Sequence, residues 1–398
     1  MKQLRGSTGI NSRPLSKRIE NVPTSFMFEF ADKIRKMEAS GSVIDLSLGQ
    51  PDVPAPAHIA AAVQRALETP ITSYSASAGS SDLRSLIANK YSEESGVQTE
   101  ASEVMVTSGS KHALFISLLS ILDQDDEVLV HEPYFPPYAE ITGLVGATLK
   151  TVPISSESNH FRLDLGLLLS SVTAKTKVIL VNYPNNPAGW TLGENEVRKL
   201  VDFCSEKGIH LVSDEIYDKI VFDRRVHCHS WTFSKGTDNI IGLGSFSKTY
   251  SMVPYRLGYI IAKEGIIKDI MKAQRATVTM VSPYVQAAGV AALSGPQDFV
   301  KSRLDKYQER RDEYVRLLRN EGIAVSKPEG AFYFFVKMPE LTDVMKFATK
   351  FLDEERVAVL PGAIFGKRWE GFVRISFATE DQLLRDGVTK FIEAYPSF

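Results

Sequence analysis

The sequence predicts an α/β fold, with a large domain built on a mostly parallel central sheet and a smaller α+β domain, and three observations carry that prediction. Seven short runs rich in Val and Ile (EVMVTS, EVLVHE, ATLKTVPI, KVILVNY, HLVSDE, IIGLGS and LGYIIA) alternate with amphipathic stretches such as ENEVRKLVDFCSEKG, whose apolar residues have helical spacing. Strands buried on both faces read as near-continuous apolar runs, so the alternation argues for a sheet with helices on either side. From about Ser282 the pattern changes to long helical stretches, DFVKSRLDKYQERRDEYVRLLRNEG among them, followed by AFYFFVKM and FVRISFA, which read as the second domain. A chain of 398 residues with 43% hydrophobic content is long enough to fill both cores.

In chain order, the ends of the predicted strands carry the chemistry. TSGSKHALFISLLSIL reads as strand, tight turn and helix, so the amides of Gly109, Ser110 and Lys111 lie at a helix N-terminus, where a phosphate is favoured; taken alone, the glycine is explained by the turn. EPYFPPY sets Tyr134 and Phe135 beside prolines, where an aromatic packs in a core or a turn or offers a shelf to a flat ring. YPNNPAG brings Asn186 to a strand end, and HLVSDEIYDKI does the same for Asp214 and Tyr217. IIGLGSFSKTYSMVPYRLGY runs a strand into a small-residue turn that presents Lys248, with Arg256 eight residues further on. A lysine in a partly dry, cation-flanked pocket loses pKa and becomes a nucleophile, most commonly as a Schiff base with a carbonyl. An amine, an acid, a phenol and a phosphate clamp are the parts that hold and tune pyridoxal 5′-phosphate, PLP.

Composition excludes several other classes. The balance of 46 basic against 48 acidic residues gives no electrostatic case for nucleic acid or an anionic membrane. Cys204 and Cys228 are the only cysteines, so no disulfide framework is implied and a reducing cytoplasm is expected. MKQLRGSTGINSRPLSKR carries charge but lacks the apolar core of a signal peptide, and no window reaches the length of a membrane span. No internal repeat or low-complexity tract is present.

SLGQPD at 47–52, YSASAGSSDLR at 74–84, TSGSKHAL at 107–114, YPNNPAG at 183–189, SDEIYD at 213–218, SFSKT at 245–249, the Arg256 turn and FVRISFA at 372–378 follow one another along nearly the whole chain. In these motifs and their order the chain resembles the fold-type-I, class I/II PLP-dependent aminotransferases of the aspartate/aromatic kind. The resemblance implies a large PLP-binding domain over 56–287, and a small domain formed by 1–55 together with 288–398. It implies that Lys248 carries PLP and serves as general base and acid. Asp214 keeps the pyridine nitrogen protonated, Asn186 and Tyr217 hydrogen-bond O3′, and Phe135, with Tyr134 as second choice, stacks on the ring. Gly109, Ser110, Lys111, Ser245, Ser247 and Arg256 form the phosphate cup. Tyr74 reaches the phosphate of the neighbouring subunit, which requires a homodimer. Arg374 grips the substrate α-carboxylate with two parallel hydrogen bonds, helped by Asn186 and the backbone around Gly49.

The implied reaction is ping-pong transamination between an amino acid and a 2-oxo acid. A PLP-dependent elimination or cyclisation in a biosynthetic pathway is the alternative, since nothing in the cofactor motifs separates the two. A regulator that uses this fold as a sensor is disfavoured, because a DNA-binding module ahead of the fold is not evident. PNNPAG, SGSK and MVPYR depart from the commoner PNNPTG, SGGK and Thr-Gly-Trp-Arg patterns without removing a catalytic group. Lys111 matches a lysine that contacts a distal carboxylate in aspartate/prephenate-type relatives. Phe26, Met27 and Phe28 form either an apolar lid or the packed face of the first helix. GLGSFSKT lacks the third glycine of a dinucleotide loop and the Gly-Lys pair of a Walker sequence. His227, Cys228 and His229 lack the spacing of a metal site and read as a loop or strand edge with two same-side histidines. The charge-rich QERRDEYVRLLR reads as a solvated helix face with salt bridges.

Overall fold

A computed structural model of the chain describes residues 16–20, 22, 26–68, 71, 73–156, 160–340 and 343–395; residues 1–15 of the stretch read for a signal peptide lie outside them. Among the described residues the strands are β1 (Ile44–Asp45), β2 (Val104–Thr107), β3 (Glu127–Glu132), β4 (Thr148–Pro153), β5 (Thr176–Asn182), β6 (His210–Asp214), β7 (Ile240–Ser245), β8 (Gly258–Ala262), β9 (Tyr333–Lys337), β10 (Val357–Ala358), β11 (Leu360–Pro361) and β12 (Phe372–Ser376). β2 to β8 are the seven Val/Ile-rich runs, and they form one sheet in the order β2-β8-β7-β6-β5-β3-β4. Every step across it is parallel except the two that flank β8. Side chains alternate between two cores, as the period of two requires: Leu129, Ile179, Val181 and Leu211 face one, while Val128, Val130, Val178, Leu180 and Val212 face the other. The helix Glu194–Lys207 covers one face with Val197, Leu200, Val201 and Cys204, the i, i+3, i+4, i+7 set, and ends at Gly208 with φ 65°.

The chain leaves β3 for β4 on one side and returns to β5 on the other, so the strand order reverses between β3 and β5. Open α/β sheets bind ligands outside the carboxyl ends of their strands at such a reversal. Register brings the polar strand ends level there, with Asn182 opposite Asp214 and Asp214 opposite Leu243.

The second unit is the antiparallel sheet β11-β12-β9, with its own core around Tyr314, Leu318, Phe334, Phe351, Val373, Ile375 and Phe391. β1, near the N-terminus, pairs in parallel with β10, and Arg356 donates to the carbonyls of Met37, Gly41 and Ser42. The 287/288 boundary implied by resemblance falls inside the helix Pro283–Ser294, which packs on the helices Ala57–Glu68 and Ser81–Ser95 beside the large sheet. The change of core comes later, along the helix Asp298–Asn320, where Phe299 and Val300 pack on the large-sheet core and Tyr307 and Tyr314 on the small one. That helix carries the salt bridges expected of its charge-rich face, but part of that charge is turned inward. Arg303, Arg310 and Arg311 are buried, and Arg311 donates to both carboxylate oxygens of Asp223 at 2.9 and 2.7 Å. Their partners come from remote segments, which charge spacing along one helix cannot reveal.

Gly258 lies where β8 passes beneath the Gly109–Ser110 turn. A Cβ there would meet the Gly109 carbonyl carbon and the Ser110 nitrogen at 2.7 Å, backbone atoms that cannot swing aside. Gly258→Ala is expected to cost about 1–3 kcal/mol, the usual penalty of overpacking, and to displace the two amides. Thermal melts should show a lower Tm, and PLP titration a weaker affinity.

Candidate active site

At the carboxyl edge of β5, β6 and β7 the two units enclose a cavity of about 270 Å³. Lys248, Asp214, Asn186, Tyr217, Arg374, Gly49 and Phe135 all line it, so these sequence-chosen residues converge on one space. Tyr134 is not among the lining residues.

Lys248 stands on the short helix Phe246–Thr249 that follows β7, and the Ser247 amide donates to Ser245 Oγ at 3.1 Å to cap it. The Lys248 ammonium donates to the Gly49 carbonyl. Desolvation, reinforced by the charges of Arg374 and Arg256 and opposed by Asp214, lowers its pKa to about 8. Asp214 ends β6 and is buried; the Tyr138 hydroxyl donates to it at 2.6 Å. Burial pushes its pKa up to about 6 against the pull of that hydrogen bond. Among the described residues no cation lies within ion-pair distance of it.

Arg374 projects from β12, between Phe335 on β9 and Leu360 on β11 in register. It is 2% exposed, donates from Nη1 to Asn186 Oδ1 at 2.9 Å and from Nη2 to the Ser47 carbonyl, and has no partner at Nε. The Tyr333 ring covers the guanidinium at 4.3 Å. A buried guanidinium with neutral acceptors only is costly unless an anion completes it.

Gly109, with φ 80°, caps the helix Ser110–Ile121, and the Arg256 guanidinium lies where a Gly109 Cβ would stand. Arg256 itself has φ 54°, and its Nη1 donates to the Val253 carbonyl at 3.1 Å. Ser245 pairs with Gly258, and Gly258 lies against the Gly109–Ser110 turn, which brings Ser245 beside that turn. Lys111 Nζ lies 5.3 Å from the Phe28 ring centroid and 5.9 Å from that of Phe135. Tyr74 is 83% exposed and does not reach the cavity of its own chain. Met27 and Phe28 line the cavity, whereas Phe26 stacks on Phe30 at 5.1 Å, so the helix Phe26–Glu38 provides both a wall and a packed face.

Sequence reasoning missed Tyr138, Asn182 and Tyr333. Tyr138 follows Phe135 by three residues in EPYFPPY, spacing that puts it one helical turn on, and the T-shaped pair has centroids 5.7 Å apart. Asn182 donates to the Asp214 carbonyl at 3.0 Å and accepts from the Asn186 amide at 2.9 Å. Tyr333 shares a 2.7 Å hydrogen bond with Tyr217, so the Tyr217 hydroxyl already has a protein partner. The two histidines of HCH do face one side: His227 and His229 both bond Glu215, and His229 continues to Glu94 at 2.9 Å. Burial opposes a charge on His229, yet the two carboxylates raise its pKa to about 9, which makes it a protonated bridge.

These residues fit PLP on three counts. The buried Asp214 carboxylate faces the cavity without a cation, as a partner for a pyridinium. The Gly109 turn leaves backbone amides and Arg256 together, as an anion corner. The lowered pKa of Lys248 suits an amine that bonds an aldehyde. When bound, PLP supplies an electron sink for the pair left at a substrate Cα.

The fold and the cavity together define a fold-type-I PLP-dependent enzyme. Residues 41–391 match the family model described as aminotransferase class I and II. The chain is 33% identical over 387 residues to the aspartate aminotransferase of Pyrococcus horikoshii, covering 96% of this chain and 97% of that one. It is 35% identical over 389 residues to a probable aspartate/prephenate aminotransferase of Aquifex aeolicus, with 96% and 98% covered. The crystal structure of an aspartate aminotransferase from Thermotoga maritima superposes with a TM-score of 0.89 at 31% identity, over 95% of this chain and 99% of that one. The chain belongs to the class I and II aminotransferases, PLP-dependent enzymes that move an amino group between an amino acid and a 2-oxo acid.

The raised pKa of Asp214 has a consequence for the cofactor-free protein. Between 3.8 and about 6 the folded state holds a proton that the unfolded state has lost, so stability falls as pH rises through that window, by on the order of 3 kcal/mol in all. Asp214→Asn is expected to flatten this slope in apoprotein melts while slowing the half-reaction by several orders of magnitude, the loss that follows removal of a preorganised charge. A slope that survives the substitution, with normal half-reaction rates, contradicts the assignment.

Proposed function

We propose that this aminotransferase holds PLP on Lys248, with Asp214 at the pyridine nitrogen and Arg374 gripping the α-carboxylate of either substrate. One observation carries the reading: a buried arginine with an unpartnered Nε shares a cavity with a buried, unpaired carboxylate and a lysine of lowered pKa. Lys248 Nζ, once neutral, takes the Cα proton; Arg374 and Asn186 orient that Cα–H bond toward it. Asn186 and Tyr217 are the groups available to O3′, and Phe135 is the face for the ring. Gly109, Ser110, Lys111, Ser245, Ser247 and Arg256 hold the phosphate. The small domain comprises the β1 segment and the chain beyond the middle of the helix Asp298–Asn320, and it carries Arg374 to the cleft.

Met27, Phe28, Ala31, Leu48 and Leu360 make an apolar wall for the substrate side chain, beside which Lys111 is the cation available to a distal carboxylate. This supports aromatic or long apolar side chains first and acidic ones second. Spectral half-reactions of the PLP form against a panel of amino acids test the order; persistent long-wavelength bands without keto-acid product would instead indicate elimination or cyclisation. Arg374→Lys keeps the charge but loses the fork, so KM for donor and acceptor should both rise about 10–100-fold, the worth of one charge-assisted hydrogen bond. An unchanged KM for both would sink the carboxylate assignment.

The exposure of Tyr74 supports its contribution to a partner's phosphate site in a homodimer. The unpaired Cys204 and Cys228 support a reducing, cytoplasmic setting, and among the described residues no helix is long and apolar enough to cross a membrane. Light scattering should give a dimer. In hybrids of Lys248→Ala with a Tyr74→Phe, Arg256→Ala chain, the site that keeps Lys248 receives an intact Tyr74 from its partner. Its PLP affinity should exceed that of the double-mutant homodimer, and no gain despite verified subunit exchange would mean that Tyr74 serves its own chain.

A further inference from the structure

The inward arginines of the helix Asp298–Asn320 point to a function for that helix beyond joining the two units. Arg303, Tyr307 and Arg310 fall at i, i+4 and i+7, one face, and all three are buried. Burying two guanidiniums is costly unless each is fully partnered, so what they touch is informative. Arg303 donates to the Thr249 carbonyl and to Ser251 Oγ, the carbonyl end of the short helix that bears Lys248. Ser251 has φ 54°, a conformation that a serine holds only where its surroundings fix it.

One turn on, the Tyr307 hydroxyl donates to Asp52 Oδ1 at 3.2 Å, and Arg310 Nη2 pairs with Asp52 Oδ2 at 2.8 Å. Asp52 stands three residues after Gly49, whose carbonyl accepts from Lys248 Nζ. Arg310 also donates to the Phe377 carbonyl at 3.3 Å, three residues past Arg374, and pairs with Asp381 at 2.8 Å. A single helix face thus touches the turn of Lys248, the loop of Gly49 and the strand end of Arg374.

We infer that the Arg303–Tyr307–Arg310 face is a positioning strut, which holds the Lys248 turn, the Gly49–Asp52 loop and the Arg374 strand in mutual register for binding the substrate carboxylate. None of the three lines the cavity; each acts through the group it holds. The inference rests on the assignment of the α-carboxylate to Arg374. Asp52 is the joint of the strut, because it alone takes two of the three side chains, and its loop supplies the Ser47 carbonyl that Arg374 contacts.

The test compares Asp52→Asn, Arg310→Gln, Arg310→Lys and the Asp52→Asn, Arg310→Gln double variant as holoenzymes, with Asp381→Asn as the variant that removes the outer, half-exposed carboxylate shared by Arg310 and Lys306. Asp52→Asn and Arg310→Gln should each raise KM for both the amino acid and the 2-oxo acid at least about tenfold with kcat changed less than about threefold, the pattern of lost binding rather than lost chemistry. The double variant should be no worse than the poorer single one, Arg310→Lys should recover part of the loss, and Asp381→Asn should stay near the parent. Hydrogen exchange in the cofactor-free protein gives a readout independent of turnover: amides of residues 46–52 should exchange faster in Asp52→Asn, a near-isosteric change that spares folding. A lowered Tm with KM unchanged and exchange unaltered would make the face purely structural and overturn the proposal. If Arg374→Lys also left KM unchanged, the carboxylate assignment itself would be what failed.

Discussion

The candidate active site depends on one electrostatic constraint: three ionisable groups, Asp214, Lys248 and Arg374, are desolvated around a single cavity with too few counter-charges among themselves. Each is displaced in the direction burial dictates, the carboxyl up and the two bases down. In a protein without ligands such an arrangement is a cost, and the surrounding hydrogen bonds from Tyr138, Asn186 and the backbone offset only part of it. The same imbalance makes the cavity complementary to a cationic ring nitrogen, an aldehyde and a carboxylate. In the proposed assignment, a zwitterionic, phosphorylated cofactor and then an amino acid supply the missing pairs.

The parallel sheet makes that concentration of charge possible. Register holds Asn182 level with Asp214 and Asp214 level with Leu243, and β7 runs two residues further to Ser245, so the ends of β5, β6 and β7 share one edge. The continuous apolar runs that fix the sheet and the polar residues that end them are one design, since the first cannot be shifted without moving the second. Arg374 reaches the edge from the other unit on its own antiparallel strand, paired with Phe335 and Leu360 in register.

Much of this was legible in the sequence. The seven Val/Ile-rich runs appear as the seven strands of the sheet, because strands buried on both faces leave an unambiguous mark, and Lys248, Asp214 and Asn186 stand out in short motifs that follow or end strands, Arg374 in one that is itself a strand. Tyr333 and Tyr138 escaped notice for the opposite reason. Their rings lie in apolar, aromatic-rich segments, AFYFFVKM and EPYFPPY, where one tyrosine resembles core, and only the fold shows which hydroxyl meets Tyr217 or Asp214. Arg310 sits in a charge-rich segment that reads as solvated for a related reason: helical charge spacing gives the face it occupies but not what that face meets, and Asp52 lies more than 250 residues away in the chain. The apolar helix Pro283–Ser294, which contains the 287/288 boundary implied by resemblance, packs on helices beside the large sheet, and the change of core comes along the next helix.

The assignment on which the rest turns is the identity of the amine that holds the cofactor. Reduction of the holoenzyme with borohydride, digestion and mass spectrometry of the peptides reads it directly. The PLP-derived mass should appear on the peptide containing Lys248 and vanish in Lys248→Ala. The same mass on Lys111 or Lys235 would contradict the account.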